Sequence, residues 1–195
     1  MAPSLRHAAF LALLLAAVSA AAEGAAIEDL VPVVRSDGIF VSFRAGDAFN
    51  EDIERAIQTG LEVNFRYNVE LKRPRGIWLD RQVARRVISA MVTYDNLTKR
   101  YKLTREIDGK IDATQVVSDA EAMRRFMTTF ESLRLFEPSA LEPNDSYYVR
   151  VKGVMKERNL LLLIPWDVGT GWKEARFDYV PLSPLSPLSP LSLMR

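Results

Sequence analysis

Leu61-Glu62-Val63-Asn64-Phe65-Arg66-Tyr67-Asn68-Val69-Glu70-Leu71-Lys72 alternates apolar and polar side chains without a break. A period of two puts Leu61, Val63, Phe65, Tyr67, Val69 and Leu71 on one face of a strand and the polar set on the other. Burying one such apolar side chain contributes about 1.5–3 kcal/mol before the cost of ordering it, so this face can seed a core. The rest of the chain has to cover that face.

Upstream, Asn50 suits a helix N-cap, and Glu51 and Asp52 place anions in the first turn, where the helix dipole favours them. Ile53, Ala56 and Ile57 share one side of that helix, and Gly60 supplies the stop. Further back, Leu30–Arg35 and Ile39–Arg44 flank Ser36-Asp37-Gly38, the pattern of a β-hairpin.

Downstream, Pro74 and Gly76 mark a loop. Residues Val83 to Tyr94 fit helical spacing, but Val87, Ile88, Val92, Thr93 and Tyr94 carry the β-branched and aromatic bias of a strand, which tips the reading that way. Asp108-Gly109 between alternating segments is a strong hairpin signal, because a type I′ turn needs positive φ. Ser118-Asp119-Ala120-Glu121 reads as a capping box. Met123, Phe126, Met127, Phe130 and Leu133 follow at helical spacing, which predicts a helix over Ser118–Phe136. Tyr147, Val149, Val151 and Met155 then alternate with Tyr148, Arg150, Lys152 and Lys156. Leu160–Ile164 reads as a short buried strand, and Phe177 and Tyr179 close the patterned region.

The ends have a different character. Residues 1–22 have the shape of a secretory signal peptide: Arg6 beside His7, an apolar run from Ala8 to Val18, then small residues suited to cleavage near Ala22. The apolar run is shorter than the ~20 residues of a membrane span, so no integral span is expected after cleavage. Residues 181–195 are dominated by a Pro-Leu-Ser triplet, expected to be a disordered, polyproline-like tail. Its PxxP spacing lacks the basic flank that a proline-rich ligand usually carries. Between these ends, residues 27–180 are expected to form one domain.

The inventory narrows the chemistry. The sequence has no cysteine and one histidine, His7. Once the first 22 residues are removed, a Ser–His–Asp triad, a Cys nucleophile and the usual zinc sites are excluded. Without Arg6 the basic residues equal the 25 acidic ones, which argues against nucleic acid as a partner. A cysteine-free exported chain suits the bacterial periplasm.

Several stretches together carry a family likeness. They are the acidic helix ending at Gly60, the alternating strand into Arg73 and Trp78-Leu79-Asp80, Tyr94-Asp95-Asn96-Leu97-Thr98-Lys99-Arg100-Tyr101, and Trp166-Asp167 through Trp172. In these the chain resembles the exported bacterial proteins grouped as domain-of-unknown-function family 4390, over roughly Ile27 to Tyr179. The resemblance implies a strand through Val83–Tyr94 and carries no catalytic residue, because the family has no established activity.

Two clusters stand above the background. Arg73, Arg75, Trp78, Asp80 and Arg81 combine guanidinium forks with an aromatic, which suits a carboxylate, a phosphate or a partner surface; the plain alternative is a solvated loop with Trp78 in the core. Tyr94, Asp95 and Tyr101 form the second; there the alternative is a turn closed by Asp95 with packed tyrosines. No catalytic residue, metal or cofactor is assigned. The expected fold class is α+β: an antiparallel, meandering β-sheet covered on one face by two α-helices, near Asn50–Thr59 and Ser118–Phe136. The expected function is a non-enzymatic binding or interaction module of the cell envelope, serving an envelope complex or a membrane-sensor protein. The rivals are a carboxylate-dependent hydrolase of envelope glycans and a binder of lipid or another hydrophobic ligand.

Overall fold

Among the residues that the computed structural model describes, 24–76, 79–157 and 169–181, the elements run in this order. First come β1 (Ala26–Arg35), β2 (Gly38–Gly46), α1 (Glu51–Gln58), β3 (Val63–Arg73) and β4 (Arg81–Asp95). Then follow β5 (Arg100–Ile107), β6 (Lys110–Val117), α2 (Ala120–Thr128), β7 (Thr129–Phe136), β8 (Asp145–Glu157) and β9 (Lys173–Tyr179). All strand pairings are antiparallel.

β3 is the predicted alternating strand, and Val63, Phe65, Tyr67, Val69 and Leu71 are all buried. Leu61 is a correction: it precedes the strand and is exposed. Gly60 takes a φ of 86° after α1, and the Leu61 N–H donates back to the Ala56 carbonyl at 3.2 Å, so Leu61 belongs to the closing turn of the helix. β3 is central because both its edges are used, by β4 and by β8, giving a sheet in the order β6-β5-β4-β3-β8-β9. The stretch Val83–Tyr94 lies wholly within β4. Tyr148 is a second correction: it sits on the polar side of β8 but is buried.

A second sheet, β1-β2-β7, packs on the apolar face of the first. The Ser36-Asp37 hairpin joins β1 to β2, with Arg35 opposite Gly38. β7 corrects the predicted long helix, since α2 ends at Thr128 and Thr129–Phe136 is strand. Ser132, at φ 48°, explains the misreading: Val41 faces Leu133 and Phe43 faces Phe130, so the bulge puts two residues three apart on one face. A spacing of three imitates a helix. β7 satisfies the open edge of β2, and its Phe130 ring stacks on Phe43 with centroids 4.6 Å apart. Tyr67 meets both rings edge-on, at 5.4 Å and 4.9 Å, so one aromatic trio joins the two sheets.

The helices complete the cover. Asn50 caps α1 as predicted, its Oδ1 accepting from the Ile53 N–H at 2.9 Å. The cap of α2 is Asp119 rather than Ser118: its side chain accepts from the Ala122 N–H at 2.7 Å. Buried Tyr67 donates its hydroxyl to the Met127 carbonyl at 2.9 Å, which ties α2 onto β3. The predicted type I′ hairpin is present, with Asp108 at φ 51° and Gly109 at φ 78°. Just beyond it β6 carries one extra residue, Asp112, because Arg105 faces Ala113 while Glu106 faces Ile111. The predicted Leu160–Ile164 strand, the signal segment and the tail beyond Pro181 lie outside the described residues.

Candidate functional site

The loop after β3 is where the first sequence-predicted cluster falls. Arg73 ends β3 and Arg81 begins β4 directly opposite it. The Arg73 guanidinium bonds Glu142 at 2.7 Å and also contacts Asp145, while Arg81 reaches Glu142 at 3.9 Å. Hydrogen bonding to Glu142 holds the Arg73 pKa above its usual value. Asp80 accepts from the Arg75 N–H at 3.1 Å and from the Tyr148 hydroxyl at 2.6 Å. The structure therefore brings Arg73, Arg75, Asp80 and Arg81 together, but with Arg73, Asp80 and Arg81 engaged by partners within the chain. The arrangement clamps the β3–β4 loop onto the start of β8. Trp78 lies outside the described residues.

This clamp makes a titration prediction. Burial, and then the bond to Asp80, push the Tyr148 phenol up to about 12 from 10.0. The same bond, followed by the Arg75 amide, holds the Asp80 carboxyl below its ordinary range. For Tyr148 the unfolded chain releases its proton first as pH rises, so this contribution to stability is present below pH 10 and is lost above it. For Asp80 the contribution is present above the unfolded pKa and disappears as pH falls through the folded value. Tyr148→Phe is expected to return the Asp80 carboxyl toward its normal range, read by carboxyl carbon shifts across an acid titration. An unmoved Asp80 would mean that the phenol is not its main partner.

The second cluster is a turn. Asp95 accepts from the Leu97 and Thr98 amides at 2.8 and 3.1 Å, and these bonds, that of Thr98 first, lower its pKa. Tyr94 and Tyr101 face each other across β4 and β5 with ring centroids 4.7 Å apart. Desolvation raises the Tyr101 phenol pKa. The three residues are adjacent, and their bonds are those of a closed turn and a packed pair.

A broader feature lies on the polar half of the alternation. The small sheet and both helices pack on the apolar face of the large sheet; on the opposite face, among the described residues, the β3–β4 loop reaches Tyr148 through Asp80 and Trp172 lies against Arg150, and no helix or second sheet is laid over the rest. On that open face one cross-strand row reads Glu174, Arg150, Glu70, Arg85 across four neighbouring strands. Arg150 donates to Glu70 Oε2 at 2.8 Å through both Nε and a terminal nitrogen, and its guanidinium lies 4.2 Å from the Trp172 ring centroid. Glu70 is nearly buried beneath this stack.

Cations flank the row. Lys72 and Arg176 lie on one side of it, with Tyr148 between them, and Lys152 and Arg66 on the other. Among the described residues Arg66 and Lys152 have no carboxylate within ion-pair distance, whereas Lys72 and Arg176 act on the Asp80 carboxyl from beyond that distance, and Arg85 donates to the side-chain Oδ1 of Asn68 at 2.6 Å. Charge is segregated along the chain as well. Residues 24–60 hold seven acidic and three basic side chains, residues 61–117 seven acidic and twelve basic ones. The sequence shows these residues as one half of each alternating strand; the large-sheet register groups them.

Among the described residues no three His, Asp or Glu side chains stand close enough to hold a metal ion, and no helix is long and apolar enough to cross a membrane. Comparison with known proteins finds one family. The model of a family described as "Domain of unknown function (DUF4390)" matches residues 22–175, most of the chain. No curated protein matches. No solved structure matches.

Proposed function

The chain belongs to the DUF4390 family, and on that premise we propose that it is a non-enzymatic interaction module of the cell envelope that docks a partner protein through the open face of its large sheet. The observation that carries this reading is the pair of cations on that face, Arg66 and Lys152, that has no carboxylate within ion-pair distance among the described residues. Glu70 and Glu174 already sit beside Arg150 in the central row, so the face has the geometry for carboxylates laid between guanidiniums. The partner that fits is an acidic protein surface. Export rests on the first 22 residues, which have the charge and apolar pattern of a cleaved signal.

A direct test uses poly-glutamate as the acidic probe and vesicles of phosphatidylglycerol as the competing anion. Poly-glutamate at low salt is expected to shift amide signals of β3, β8 and β9 on the open face, and added salt should reverse the effect. The Arg66→Glu, Lys152→Glu double variant should lose the response while keeping its circular dichroism. A response to vesicles alone, or one that survives both substitutions, overturns the reading. Amino-terminal sequencing of the chain recovered from an expressing bacterium tests export: an intact Met1 counts against it.

A further inference from the structure

One end of the open face already holds a carboxylate that does not belong to its strands. Arg176 of β9, Tyr148 of β8 and Lys72 of β3 stand in one cross-strand row, with the phenol in the middle. Directly opposed residues on one face of a sheet have Cβ atoms about 4.5–5.5 Å apart, so the two cations flank the phenol on either side. Tyr148 is buried, whereas Asp80, whose Oδ2 accepts from its hydroxyl at 2.6 Å, is exposed. That length is typical of a charge-assisted bond from a hydroxyl to a carboxylate.

Asp80 comes to the row from outside it, from the position just before β4. Its second oxygen, Oδ1, is held by the Arg75 N–H at 3.1 Å. The Tyr148 bond first, the Arg75 amide next and then the charges of Lys72 and Arg176 hold its carboxyl below the ordinary range. With Asp80 turned away, the row would keep a buried hydroxyl donor between two cations. A buried donor left without an acceptor costs more than the bond it made was worth, so the vacated position favours another carboxylate.

We propose that Tyr148, Lys72 and Arg176 form a carboxylate seat, that Asp80 fills it from within the chain, and that an acidic side chain of the partner protein takes the seat by displacing Asp80. The proposal rests on the open-face reading for the acidic character of the partner, and adds where one of its carboxylates goes and what that carboxylate competes with. An internal occupant lowers apparent affinity, because the seat is open only in the fraction of molecules in which Asp80 has left it. A stray acidic group is thereby turned away. A surface that also engages Lys152 and Arg66, further along the same face, gains enough elsewhere to displace Asp80.

Poly-glutamate is the probe, titrated against the full chain and its variants, with amide signals of β3 and β8 as the check on folding. Asp80→Ala is expected to bind it about tenfold tighter than the parent, with the Tyr148 ring signals shifting as it binds. Asp80→Asn keeps an acceptor for the hydroxyl while losing the charge, and should fall between the two. Glu174→Ala removes the same charge from the same face but takes no hydrogen bond from Tyr148, so its gain should be the smaller. Tyr148→Phe added to Asp80→Ala should cancel the gain, and added to Glu174→Ala should leave that gain in place. A parent that responds on the open face while Asp80→Ala binds no tighter keeps the open-face reading and overturns the seat. Equal gains from Asp80→Ala and Glu174→Ala, or a gain that survives Tyr148→Phe, trace the effect to net charge and overturn it as well. Tighter binding of Asp80→Ala to phosphatidylglycerol vesicles but not to poly-glutamate assigns the seat to a lipid phosphate and overturns the partner named here. No response to poly-glutamate in any of these chains removes the open-face reading and the seat together.

Discussion

Phe130→Ala is expected to lower the unfolding free energy by about 3–5 kcal/mol, the range for removing a buried aromatic ring and leaving a cavity. Phe130 is 1 % exposed and touches Phe43 and Tyr67, so it belongs to both sheets at once. Arg105 also lies over its ring at 5.9 Å, and that guanidinium would lose one of its apolar supports. Urea unfolding followed by fluorescence measures the change, with Val116→Ala on the exposed β6 edge as the reference, expected to fall within about 0.5 kcal/mol of the parent. A loss below about 1 kcal/mol would place the ring outside the junction of the sheets and break this account of the core.

The second large effect concerns Glu70. Glu70→Ala removes the carboxylate under the Arg150 guanidinium and leaves a cation with 24 % side-chain exposure held against Trp172 without its partner. The expected cost is about 2–3 kcal/mol, the range for a charge-assisted hydrogen bond together with the penalty on the group left behind. Arg150→Met keeps the stem over Trp172 while removing the charge, so the double variant should be more stable than the sum of the two singles predicts. A double-mutant cycle by denaturant unfolding reads this directly, and strict additivity would mean that the two residues are not coupled. The poly-glutamate response gives a second readout. Glu70→Ala should strengthen it, because the face loses an internal carboxylate.

The sequence was most readable where one physical rule acted alone. In β3 the period of two, the burial of one face and a position between two partner strands all agree, and the alternation survives from Val63 to Leu71. Asp108-Gly109 was readable for the same reason, since few dipeptides accept positive φ twice. The stretch around Phe130 was not. Thr128 and Thr129 carry the β-branched bias that ends α2, but the bulge at Ser132 gives the following strand a helical spacing. The demand for that strand comes from β2, some ninety residues earlier, and no local window contains it. Tyr148 fails similarly: its place in β8 predicts exposure, and the Asp80 carboxylate that holds it arrives from another loop.

The candidate clusters were legible as residues and not as roles. Arg73 and Arg81 look unspent in sequence, but Glu142 and Asp145, some seventy residues away, engage them. Arg66 and Lys152 look like ordinary outward residues of two separate strands. Only the pairing of β3 with β8 puts them on the same open face, and pairing register cannot be read from either strand alone.

The extra residue in β6 bears on how this chain behaves when many copies are crowded together. A six-stranded sheet with a free margin invites an incoming strand, and Ala113-Thr114-Gln115-Val116-Val117 has the apolar, uncharged makeup that stacks into fibres. Asp112 interrupts that margin: the backbone kinks there and its carboxylate turns back to bond Arg105 at 2.7 Å. An arriving strand therefore meets a row of donors and acceptors broken at Asp112, which leaves only the five residues Ala113–Val117 as a regular edge to pair with.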